Sequence, residues 1–180
     1  MASRETNTSF GEAIVSMSTQ TSLRVEGRTD TGIGILLSGG IAGLVAAAVM
    51  APVWIYFRPF IVTNAAAALY NLQGSLMGWV VHLVHGTVFG VLFAFLVTKS
   101  PLGTKVGGVS RSVASGMAYS LVLWVVGAGI VLPLGLMISD VPAAPLVPNL
   151  HPSGLLAHLV YGAVLGLLVP PLLSATGKMS

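Results

Sequence analysis

The sequence has no cysteine, and only eight Lys or Arg and five Asp or Glu among its 180 residues. The missing thiols exclude disulfides, thiolate catalysis and cysteine-based metal or haem attachment. Charged residues make up 7% of the chain, against roughly a quarter in soluble domains. Apolar residues make up 54%, and the mean hydropathy is +0.91. These values imply an integral membrane protein whose surface meets lipid. The basic balance does not point to nucleic acid, because the cationic residues are few and scattered. The middle of every long apolar run is free of Asp, Glu, Lys and Arg, which argues against an ion-coupled transporter. Nor do the short connections leave a soluble domain for hydrolytic or transfer chemistry, so an enzyme is not expected.

What the chain does have is four apolar runs that meet the requirement of about 20 residues to cross a bilayer. They lie at residues 32–57, 75–97, 112–138 and 153–173. Breakers separate them: Arg58-Pro59, Ser100-Pro101, a proline-rich stretch from Pro142 to Pro152, and Pro170-Pro171 at the end. Between the first two runs, Asn64 to Gly74 reads as a short surface helix capped by Asn64. Residues 1–30 form a polar cytoplasmic tail. Its Ser9 and Glu12 fit a capping box, and Phe10, Ile14 and Met17 share one helical face, so a short interfacial helix and a disordered tail are both open. Glycines 103, 107 and 108 beside Lys105 lack the spacing of a phosphate-binding loop and read as a turn.

Arg4, Arg24, Arg28, Lys99, Lys105, Arg111 and Lys178 fall on one side of a four-span arrangement, and Arg58 alone falls on the other. The positive-inside rule then places both termini on the cytoplasmic side of a cytoplasmic-type membrane. Trp54, Tyr56, Phe57, Tyr70 and Trp79 gather near the opposite, outer interface.

The pattern Gly-x3-His-x3-Gly-x3-Gly occurs twice: Gly78, His82, Gly86, Gly90 and, 76 residues later, Gly154, His158, Gly162, Gly166. The surrounding fifteen-residue runs GWVVHLVHGTVFGVL and GLLAHLVYGAVLGLL are identical at eight positions without a gap. At the same offset, Gly40 aligns with Gly116, Ala42 with Ala118, and Val49 with Val125. The expected fold is therefore an all-α, four-helix membrane domain over residues 31–180. It is built from two tandem two-helix hairpins, about 32–97 and 112–173, related in parallel because each unit has two spans.

A spacing of four keeps each set on one helical face, so each His shares a stripe with residues that lack a side chain. The six glycines are expected as helix-packing positions. The leading expectation is a structural or accessory subunit of a larger membrane complex, plausibly energy-transducing. It would pack against other integral subunits or a second copy through these faces and need no cofactor. The principal alternative is a b-type haem held axially by His82 and His158 in an electron-transfer subunit. In this the two segments resemble the haem-bearing helices of membrane cytochromes b, which also set His among glycines. Three further readings are open. A quinone or lipid pocket would use a His as hydrogen-bond partner. A copper or zinc site would use His82, His85 and His158, with Asp140 or His151 from the loop and Met50, Met77 or Met137 nearby. A small transporter is the last. Tyr161 stands where the first copy has His85, and Trp124 reads as a packing residue.

Overall fold

The computed structural model describes residues 5–99, 108–142 and 144–176, with side chains at 15–17 and from 32 onward within those limits. The described chain is helical and contains no strand. The elements are α1 (Glu5–Phe57), a π-helical turn (Ile61–Ala65) running into α2 (Ala66–Ala68), α3 (Ser75–Lys99), α4 (Val109–Val122), a π-helical segment (Leu123–Val131), α5 (Leu132–Ile138) and α6 (Pro152–Ala175). Two units are distinguished, Met1–Gly34 and Ile35–Ser180. The first holds only the N-terminal part of α1, and the Ser9 and Glu12 side chains lie outside the described residues. Everything below concerns the second.

Four helical stretches are long and apolar enough to cross a membrane: Gly32–Phe57, Ser75–Lys99, Val109–Ile138 and Pro152–Ala175. They match the four apolar runs to within a helical turn. The surface helix expected to start at Asn64 is different. Helical structure begins earlier, because Pro59 supplies a preset φ and lacks only an N–H that a first turn leaves unused. Asn64 sits inside the π turn and donates its Nδ2 to Thr63 Oγ1 at 2.7 Å rather than capping a helix. Asn71 and Gly74, both at positive φ, then turn the chain into α3.

Pro170 and Pro133 do not end their helices, because other groups supply the missing hydrogen bonds. Pro170 leaves the Gly166 carbonyl without its helical donor. The buried Ser112 hydroxyl of α4 donates to that carbonyl at 2.5 Å, and α6 continues to Ala175. Pro133 likewise takes a donor from the preceding turn, where the third span widens into its π segment. There the Asn149 backbone N–H donates to Gly129 O at 2.9 Å, and its Nδ2 to Ala128 O at 3.5 Å. In an apolar surround, such carbonyls would otherwise stand unsatisfied at several kcal/mol each.

Small residues bring the helices together in two pairs. In the first pair, Gly39, Gly43 and Ala47 of α1 meet Gly86 and Gly90 of α3. A β-carbon at Gly43 would lie 2.8 Å from the Gly90 Cα, and one at Gly39 2.6 Å from the Val91 Cα. In the second pair, Ser112, Gly116 and Ser120 of α4 meet Gly162 and Gly166 of α6. A β-carbon at Gly116 would lie 2.9 Å from the Gly166 backbone N, and one at Gly166 2.6 Å from the Val113 Cα. Thus Gly43, not Gly40, holds the place in the first pair that Gly116 holds in the second. The first helices of the two pairs correspond at an offset of 73, because the path from Gly43 to Gly86 is three residues shorter than that from Gly116 to Gly162. The 76-residue register of the alignment applies to α3 and α6 only.

Two tyrosines tie the pairs to each other. Tyr119 of α4 donates to Phe89 O at 2.8 Å, and buried Tyr161 of α6 donates to Gly86 O at 2.7 Å. Around them lies a core in which Met50 and Trp54 of α1 and Phe93 of α3 join Ala157, Leu165, Val169 and Leu173 of α6.

Candidate functional site

Near the end of the bundle that carries the α1–α3 connection, the packed helices part. The gap is a partly open cavity of about 390 Å³ between α1, α3, the π segment and α6, with α2 and the following turn at its edge. Most of the wall is apolar: Met50, Trp54, Phe89, Leu123, Val131 and Leu132 contribute, and Gly127 and Ala128 leave room. Its polar side chains are three imidazoles, His82, His85 and His158, and two phenols, Tyr70 and Tyr161. The cavity is of a size that holds one small organic molecule.

Each of these groups is positioned by a local contact. His158 donates from Nδ1 to Gly154 O one turn back, at 2.8 Å, and its ring stands edge-on to Trp54 with centroids 6.1 Å apart. His82 donates from Nε2 across to Ala47 O of α1 at 3.1 Å and stands edge-on to Trp79. A carbonyl can only accept, so in each neutral ring the bonded nitrogen carries the proton and the other carries a lone pair. His158 therefore presents Nε2 as an acceptor, and His82 presents Nδ1. His85 Nε2 pairs with the Tyr70 hydroxyl at 2.5 Å. Tyr161, already donating to Gly86 O, keeps lone pairs on its oxygen.

The glycines at this end serve as sockets. Gly78 receives the backbone of the π turn, with the Thr63 carbonyl 2.6 Å from where its β-carbon would be. Gly154 receives two indoles instead: Trp124 Nε1 at 3.0 Å and Trp54 Cη2 at 3.2 Å from the same position. Gly86, Gly90, Gly162 and Gly166 meet α1 or α4 as described above. All six glycines of the repeated stripe thus face this chain's own helices or turns, rather than leaving a flat face for another subunit.

His82 and His158 share the cavity, but the site does not suit a haem held between them. The His82 Nε2, the outer ring nitrogen, is taken by the Ala47 carbonyl. The Tyr161–Gly86 bond also ties α6 to α3 about one turn along the helices from the two His residues. The copper or zinc set is not assembled either. His151 lies outside the cavity as the N-cap of α6, its Nδ1 accepting from the Ser153 backbone N–H at 3.2 Å. Exposed Asp140 and Met137 and half-buried Met77 do not line the cavity, although Met50 does. Among the described residues, no three His, Asp or Glu side chains form a group that could hold a metal ion.

Sequence reasoning singled out His82, His85 and His158 but not Tyr70, Trp54 or the acceptor role of Tyr161. The exchange of His85 for Tyr161 between the copies was the available signal that this position carries a polar group. Tyr70 gave none, since only folding of the connection brings it to His85. No family model matches the chain, and no curated protein or solved structure matches it.

Proposed function

We propose that this chain is a multi-pass membrane protein that holds an apolar small molecule, of the quinone or lipid class, in the His/Tyr cavity between its helices. The observation that carries the reading is the cavity itself, which sets three imidazoles and two phenols in an otherwise apolar wall. Ionisable groups within a span are costly and usually face a protein-lined cavity where they meet a partner. The arrangement matches what small-molecule sites need: apolar volume for the body and a few fixed polar groups for the head.

The four apolar helices support insertion in a cytoplasmic-type membrane, and the distribution of Lys and Arg supports both termini inside. The cavity then lies toward the outer leaflet. The matching contacts of Gly39-Gly43-Ala47 on α3 and Ser112-Gly116-Ser120 on α6 support descent of both hairpins from one. Duplication explains the paired histidines, and the divergence of His85 and Tyr161 explains why the cavity has unlike sides. A purely accessory role draws less support, because the glycine faces that would dock a partner subunit are occupied within the chain.

Filling the cavity tests the reading. Gly127 lines it, and a β-carbon there would meet nothing within 4 Å, so Gly127→Phe adds bulk without a backbone clash. Wild type and variant, purified in mild detergent and extracted with organic solvent, are compared by mass spectrometry. The wild type should carry an apolar species that the variant lacks, and identical extracts would overturn the proposal.

A further inference from the structure

We infer that the ligand of this cavity bears a hydroxyl group on a flat aromatic body, the chemistry of a phenol or hydroquinone rather than of a quinone; this rests on the ligand-binding reading above. The argument starts from the two carbonyls that fix the imidazole tautomers. With Nδ1 of His158 donating to Gly154 O and Nε2 of His82 donating to Ala47 O, each ring turns a lone pair to the remaining space. Tyr161 adds a third acceptor, since its only proton goes to Gly86 O. Against these three stand two donors, the Trp54 indole N–H and one proton from the Tyr70–His85 pair. If Tyr70 donates to Nε2, His85 keeps an Nδ1 proton; if Nε2 donates, Tyr70 keeps its own.

Acceptors thus outnumber donors, and a ligand must bring protons to them. A ketone oxygen can only accept, from Trp54 or the Tyr70–His85 pair, and leaves the lone pairs of His82 and His158 without a proton. A hydroxyl gives a proton to one of them and still accepts from the Tyr70–His85 side. An ammonium would also donate, but no carboxylate lines the cavity to balance its charge, and an unpaired cation in such a wall is heavily penalised. The flat body follows from the wall, to which Trp54, Phe89 and Tyr70 contribute aromatic rings that suit an aromatic partner.

The test uses the full chain in lipid nanodiscs and three probes of nearly equal size: 2-naphthol, its methyl ether 2-methoxynaphthalene, and the aliphatic alcohol decahydro-2-naphthol. Affinities are read by isothermal titration. 2-Naphthol should bind roughly tenfold or more tightly than the ether, because the ether leaves buried acceptors unpaired. It should also bind more tightly than the aliphatic alcohol. His158→Phe should reduce the preference for naphthol over the ether, and Gly127→Phe should weaken both. Equal binding of naphthol and ether by the wild type would overturn the hydroxyl inference while leaving the cavity reading intact. Binding of neither would overturn the cavity reading itself. A preference for the aliphatic alcohol would overturn the aromatic part of the inference.

Discussion

Gly40 and Gly43 lie one turn apart on the same span, yet replacing each by alanine should shift stability in opposite directions. At Gly40 a β-carbon would find the Thr87 and Val91 methyl groups at 3.7 and 3.9 Å, ordinary van der Waals distances. Alanine there gains contacts, removes backbone freedom from the unfolded chain and raises helix propensity, for about 0.5–1 kcal/mol of added stability. At Gly43 the new atom would lie 2.8 Å from the Gly90 Cα and 3.1 Å from the Gly86 carbonyl carbon, and closer still to the Gly86 oxygen. Carbon pairs settle near 3.5–4.0 Å, so α1 and α3 must separate by roughly 1 Å. None of these neighbours is a side chain that can rotate away. Overpacking of this kind costs about 1–3 kcal/mol, and separation would also stretch the His82–Ala47 hydrogen bond that orients one imidazole. Reversible unfolding in mixed detergent micelles, followed by circular dichroism, measures both variants against the wild type. If Gly43→Ala proves as stable as Gly40→Ala, the assignment of Gly43 to the helix contact is wrong.

Two further outcomes are expected. Ser112→Ala should cost about 1–3 kcal/mol by orphaning the Gly166 carbonyl. The cost should fall markedly in a Pro170→Ala background, where the new backbone N–H can serve Gly166; a double-mutant cycle showing no coupling would refute the compensation. The absence of native cysteine allows orientation to be read by single-cysteine labelling in intact cells. An impermeant maleimide should label Leu146→Cys and spare Ser174→Cys, and the reverse pattern would invert the topology.

The four long apolar helices were legible because their signal is local: runs of apolar residues free of charge need no knowledge of the rest of the chain. The histidines were legible for the same reason, as rare polar groups in those runs, and the glycines through their spacing. Two kinds of feature were not. The fate of internal prolines depended on partners 54 residues away for Ser112 and Gly166, and on the loop residue Asn149 for the turn before Pro133. The register of the first helices also escaped, because glycines abound in both and an ungapped offset of 76 finds chance matches such as Gly40 with Gly116. Only the packed contacts reveal the three-residue difference in the connections.

By itself, the sequence determined four helices suited to a membrane, a Gly-His-Gly-Gly stripe that occurs twice, and which few side chains could do chemistry. Those properties follow from composition and from helical periodicity, which each segment carries within itself. The tertiary structure decided what the stripe is for. It turned Gly86, Gly90, Gly162 and Gly166 toward α1 and α4, leaving α3 and α6 apart enough for a cavity at the level of the imidazoles. It also chose the tautomers, because the Ala47 carbonyl that holds His82 comes from another helix 35 residues away. A single residue type offers both a donor and an acceptor nitrogen. Which one faces the ligand is set by the neighbour that takes the other, and folding alone supplies that neighbour for His82.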